Sequence, residues 1–187
     1  TIEHIISIHD FNADAGVDSM SLCGLDVDLK AITEQGASHS WTYNSGAYFS
    51  PNDTVDSPNI LVNEEGEYWF FWNIQIDQCH KKDSVFVHFY EQPISYAGTN
   101  VTVDESQVYL NATSVSGIGV WTAENSEGII DDSSSYNTLV SDLNLGLNTF
   151  QWTVSNGPCL IDSSTVRVFY NLLTIPNAFT PNGDGVN

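Results

Sequence analysis

Tyr68-Trp69-Phe70-Phe71-Trp72-Asn73-Ile74 is the stretch that decides the fold. Five consecutive aromatic residues, Tyr68 to Trp72, crowd it, and no helical spacing runs through it. A period of two puts Phe70, Trp72 and Ile74 on one face, the expected core face, and Trp69 and Phe71 on the other. The inward set returns 80 positions later as Phe150, Trp152 and Val154. The strand is therefore one element of a unit that occurs twice.

Working outward, the match extends along most of the chain. Trp41-Thr42 recurs as Trp121-Thr122, Cys79 as Cys159, and Phe89-Tyr90 as Phe169-Tyr170, all at a spacing of 80. Ser57 to Val62 aligns with Ser135 to Val140 at a spacing of 78, so short length changes flank that segment. Length changes of this kind fall in surface loops of a shared fold. Val27, Leu29 and Ala31 alternate with Asp26, Asp28 and Lys30 as a half-buried strand, answered by Val108, Leu110 and Ala112. The last strand of each unit is ambiguous. Val85, Val87 and Phe89 favour one parity, Val166, Val168 and Tyr170 the other, which requires a bulge or a slip of one residue.

Several short strands between Gly, Asn, Asp and Ser clusters, with a Trp on a central strand and no capped helical period, indicate an all-β fold. The expected architecture is tandem immunoglobulin-like β-sandwiches. The expected organisation is residues 1–11 as the last strand of a preceding repeat and its linker, 12–92 and 93–173 as two repeats, and 174–187 as the start of a different domain. Residues 91–95 form a short linker that Pro93 stiffens.

The chain carries 24 acidic residues against Lys30, Lys81, Lys82 and Arg167, a net charge of -20. Residues 12–92 hold 13 carboxylates against three cations, and residues 93–173 hold eight against one, so the charge is distributed over both repeats. Such a surface repels nucleic acid and anionic lipid. No apolar run reaches the ~20 residues of a membrane helix, so direct membrane insertion is not expected.

Catalytic motifs are absent: there is no G-x-S-x-G, no phosphate loop and no H-E-x-x-H. None of the five His residues has a counterpart in the other repeat, so no catalytic residues are assigned and the chain is read as non-enzymatic. Cys23 precedes the second strand and Cys79 follows the sixth, on loops that a sandwich could bring to one end. The expected disulfide is Cys23–Cys79, with Cys159 unpaired; the alternative is three free thiols. Trp69 and Phe71, outside the core set, suit stacking on sugar rings or cover by a loop or a neighbouring repeat.

The tail, Ile175-Pro176-Asn177-Ala178-Phe179-Thr180-Pro181-Asn182-Gly183-Asp184-Gly185-Val186-Asn187, carries a resemblance. It looks like the opening of the C-terminal sorting domain of proteins exported by the Bacteroidota type IX secretion system, in the form associated with gliding motility. The repeats, with Ala-Gly motifs, Trp-Thr pairs and a strand ending near Cys, are similar to those of the large gliding adhesins (SprB-like) of that phylum. The resemblance implies a cell-surface protein associated with the outer membrane. Its implied partners are neighbouring repeats, the secretion and gliding machinery, and extracellular polysaccharide. It also implies O-glycosylation at Asp-Ser/Thr-apolar triplets, here Ser19, Thr54 and Ser84. The function expected is a spacer next to the C-terminus of a long adhesin; the alternative is an accessory or glycan-binding module of a secreted polysaccharide-degrading enzyme. No cofactor is expected, apart from calcium: Asn182, Asp184 and Asn187 alternate with glycines as in half of an oxygen-rich calcium loop, or simply form a turn.

Overall fold

A computed structural model describes residues 10–44 and 46–172. The calcium candidates Asn182 and Asp184, the sorting motif and the N-terminal strand expected at 1–9 lie outside the described residues. Fourteen strands and no helix occur among the described ones: β1 Ser19–Cys23, β2 Asp26–Asp28, β3 Ser38–Tyr43, β4 Ala47–Ser50, β5 Asn59–Val62, β6 Gly66–Ile76, β7 Cys79–Tyr90, β8 Val101–Val103, β9 Val108–Asn111, β10 Ile118–Ala123, β11 Ile129–Ile130, β12 Asn137–Ser141, β13 Gly146–Ser155 and β14 Asp162–Tyr170.

The chain divides into two compact units. The first is Thr1–Pro93 with Ser155–Leu160, and the second is Ile94–Val154 with Ile161–Asn187. The loop that follows β13 is therefore part of the first unit. Each unit has a four-stranded and a three-stranded sheet. In the first these run β1-β7-β6-β3 and β2-β5-β4; in the second, β8-β14-β13-β10 and β9-β12-β11. The orders are identical once strands seven apart are equated. In both units the first strand runs parallel to the last, β1 to β7 and β8 to β14, while the other registered pairs are antiparallel. Two short sheets per unit, with a buried Trp on the central β6 and β13 (Trp72 and Trp152), make the chain all-β with tandem immunoglobulin-like sandwiches.

The alternating pattern of the deciding stretch is what closes each sandwich. Phe70, Trp72 and Ile74 are buried in the first core with Leu29, Ile60 and Val62; Phe150, Trp152 and Val154 are buried in the second with Leu110 and Val140. Trp41 packs on Trp72 with ring centres 5.0 Å apart, and Trp121 on Trp152 at 5.1 Å. The recurring Ala-Gly pair opens each unit: Ala15 and Ala97 are buried, and Gly16 and Gly98 follow at φ 93° and 91°. A Cβ at Gly98 would stand 2.6 Å from the Asn111 carbonyl oxygen, so both the conformation and the space require glycine.

Register resolves the ambiguous last strand. Phe70 is paired with Val85 and Phe150 with Val166, so β7 and β14 correspond at a spacing of 81, not 80. Val85, Val87 and Phe89 are buried, and so are Val166, Val168 and Tyr170. The slip originates in the hairpin. Asp77 and Gln78 alone join β6 to β7, with Asp77 at positive φ, whereas residues 156–161 join β13 to β14.

Candidate functional site

Two features of the first unit stand out from its structural background. One is a disulfide, and the other is the outward face of the β1-β7-β6-β3 sheet.

The expected Cys23–Cys79 bridge is not formed. Cys23 is bonded to Cys159 at a Cα separation of 5.0 Å, and Cys79 is a free, exposed thiol. The register gives the reason. Cys23 ends β1 opposite Tyr90, at the far end of β7, while Cys79 begins β7 opposite Ile76. Eleven residues of strand separate Cys79 from Tyr90, roughly 36 Å, against the ~7 Å that a disulfide tolerates. Cys79 and Cys159 match in the sequence but are not equivalent in the fold, since one opens a strand and the other lies in the longer loop. That loop is held by the first unit. Asn156 Nδ2 donates to the Glu91 carbonyl at 2.9 Å, and Gln92 Nε2 donates to the Leu160 carbonyl at 2.9 Å. A Cβ on Gly157 would collide with the Tyr90 ring, so this close approach also requires glycine.

On the outward face, Trp69 is 45% exposed and Phe71 is half-buried. Phe86 stands opposite Trp69 in register, with ring centres 5.1 Å apart. His88 and Tyr90 continue the row, their rings stacked at 4.0 Å. Lys82 Nζ sits 3.7 Å above the Phe71 ring, a cation–π contact that fixes the ammonium over the sheet. Small hydroxyl residues flank the rings, with Ser84 and Thr42 beside Phe71 in register. Beyond Phe71, Asn73 Nδ2 donates to Thr42 Oγ1 at 3.0 Å, and Gln75 Nε2 donates to the Asp77 carbonyl at 2.9 Å. There lies a pocket of about 360 Å³ whose walls include Asn73, Gln75, His80 and Lys82 from this face, with His39 and Lys81 from the register row of the inward Ile74.

Trp69 and Phe71 were legible from alternation. Phe86, His88 and Tyr90 were overlooked, although they are the complement of the inward Val85, Val87 and Phe89. Cross-strand neighbours such as Lys82 over Phe71 needed the register, which the sequence leaves open.

The three modification candidates differ in setting. Ser19 is exposed at the start of β1, while Ser84 is half-buried inside β7. Thr54 is exposed in a turn, where its hydroxyl donates to Asn52 Oδ1 at 2.7 Å. Among the described residues no group of His, Cys, Asp or Glu converges in a way that could hold a metal ion.

Two carboxyls are shifted by their hydrogen bonds. Asp162 is held below the usual range chiefly by the Ser95 backbone N–H, which donates to it at 2.7 Å. Asp132 is lowered first by the Ser134 hydroxyl, in a turn of the second unit. Both are structural anchors.

Among solved structures, the chain is similar to immunoglobulin domains 1–4 of Sidekick-1, with 13% identity and a TM-score of 0.55 over 88% of this chain and 51% of that one. It is similar to the insect immune protein hemolin, with 10% identity and a TM-score of 0.53 over 88% of this chain and 48% of that one. It also resembles a three-domain I-band fragment of titin, with 12% identity and a TM-score of 0.50 over 84% of this chain and 64% of that one. At such identities the likeness is one of fold. The chain spans about half the length of the first two structures. No protein-family model and no curated protein matches the sequence.

Proposed function

We propose that this chain is a non-enzymatic, load-bearing pair of sandwiches in a large cell-surface adhesin. It supports adhesion and gliding at the outer membrane, and the type IX secretion system exports it. The observation that carries the load-bearing reading is the Cys23–Cys159 bond, which encloses the intervening residues at a sequence separation of 136. Tension applied at the two ends of the chain enters at Cys23, crosses the sulfur–sulfur bond and leaves at Cys159. The enclosed residues, which include most of both cores, are not on that path. A bond of this kind belongs to an oxidising compartment, in keeping with export. The tail motif supports the sorting route, and the immunoglobulin-like fold agrees with a structural role.

Replacing residues 12–173 in the parent protein by two unrelated sandwich domains tests the spacer reading. Surface display and adhesion that survive the exchange support it. Adhesion lost while display is normal assigns a specific binding role to these repeats and overturns it.

A second reading, saccharide binding, is favoured by the exposed Trp69 beside Phe86. Flat aromatic surface next to hydroxyl and amide groups suits a sugar ring, and extracellular polysaccharide is the partner it implies. The corresponding β13 positions, Thr149 and Gln151, carry no aromatic ring, so only the first sandwich would bind.

A further inference from the structure

Cys79 is exposed and bonded to nothing among the described residues, yet its sequence match Cys159 is bonded. An odd cysteine in an exported chain calls for a partner outside that chain. Although one opens a strand and the other lies in a loop, both cysteines stand at the same corner of the repeat. Cys79 follows the turn that joins β6 to β7, and Cys159 lies in the loop that joins β13 to β14. Pairing shows which end of the first unit that corner occupies. β1 runs parallel to β7, from Ser19 opposite Phe86 to Cys23 opposite Tyr90. The chain therefore enters the unit on the side where β7 begins and leaves where β7 ends. The entry is tied there by the Ala15 N–H, which donates to Asp83 Oδ2 at 2.8 Å. Cys79 thus marks the entry end and Cys23 the exit end, where the Cys159 loop is bonded.

The second unit repeats this arrangement only in part. Leu22 pairs with Phe89 as Val103 pairs with Tyr170, so the next residue, Cys23, is answered by Asp104. The second unit has a hairpin cysteine and no exit cysteine, whereas the first has both.

We propose that Cys79 forms a disulfide with a cysteine closing the first strand of a preceding repeat. The bond seen between Cys23 and Cys159 is then made again one repeat earlier. The proposal rests on the reading of this chain as part of a longer array. The preceding repeat joins the first unit at its entry end, which is the end that presents Cys79. The two thiols lose two protons and two electrons to an oxidised protein disulfide of the exporting compartment, which is released as its dithiol. Asp104 closes the series, because a later hairpin finds no thiol at the exit of the second unit.

Peptide mapping of the parent protein, alkylated on the cell surface and digested without reductant, tests this. A Cys79 peptide joined to one from the first strand of the preceding repeat is the expected result, with Cys79 protected from alkylation until reductant is added. Cys79→Ser, at an exposed position, should open that preceding cysteine to alkylation and leave the Cys23–Cys159 pair intact. By itself, without the body of the preceding repeat, this chain keeps Cys79 open to alkylation. Cys79 alkylated in the parent protein, or joined to Cys79 of a second copy or to a small thiol, overturns the proposal. A preceding repeat with no cysteine at the end of its first strand overturns the bond and leaves the spacer reading standing. A parent protein with no preceding repeat overturns both.

Discussion

Trp41 and Trp72 pack against each other in the first core, yet only Trp72 has an acceptor for its indole N–H, the Ile32 carbonyl at 3.0 Å. Trp41 Nε1 is buried with no partner among the described residues. In the second core the roles are exchanged. Trp121 donates to the Ser135 carbonyl at 3.1 Å, and Trp152 Nε1 is the one without a partner among the described residues. The repeats thus keep the ring pair but not its polar wiring.

That exchange predicts a crossed pattern of stabilities. Trp72→Phe should cost about 1 kcal/mol more than Trp41→Phe, because it removes a made hydrogen bond and leaves a carbonyl unmet, whereas Trp41→Phe removes an unmet donor. In the second sandwich Trp121→Phe should be the costlier change by a similar margin. Denaturant unfolding of the four variants checks this. The same order in both repeats would contradict it.

The cysteines make a second prediction. Peptide mapping without reductant should recover the peptide of Cys23 joined to that of Cys159, with Cys79 open to alkylation. Cys159→Ser should lower stability by up to about 5 kcal/mol on the chain-entropy model for so long a loop, while Cys79→Ser should be near neutral. A Cys23–Cys79 peptide would overturn the register of β1 on β7.

The core was legible in the sequence for a physical reason. Burial selects residue type at alternate positions, so Phe70, Trp72 and Ile74 declared their face, and their repetition as Phe150, Trp152 and Val154 declared the second unit. The disulfide was not legible, because which cysteine meets Cys23 depends on strand register and hairpin length. The ladder of β13 and β14 ends earlier than that of β6 and β7, which leaves Cys159 in a six-residue loop, while the sequence match still sets it beside Cys79. The outer face was half legible. Alternation exposed Trp69, but the cation over Phe71 arises from strands brought together by pairing.

Asp162 gives a prediction in pH. Its carboxyl is lowered in the fold by the Ser95 N–H, so its contribution is fully present above the unfolded value near 3.8 and is lost as pH falls through the depressed folded value. The melting temperature of Asp162→Asn should therefore lie below that of the parent chain at pH 7, and the gap should narrow below pH 4. A gap that stays constant down to pH 2 would show that the carboxylate charge is not what anchors Ser95.

The most direct test of the load-bearing account is to stretch single molecules from their two ends with and without reductant. The bond at a sequence separation of 136 should withhold about 460 Å of contour length from the non-reduced chain, and reductant should release it. Full extension of the non-reduced chain, equal to that of the reduced one, would show that tension passes through the enclosed residues and would contradict the account.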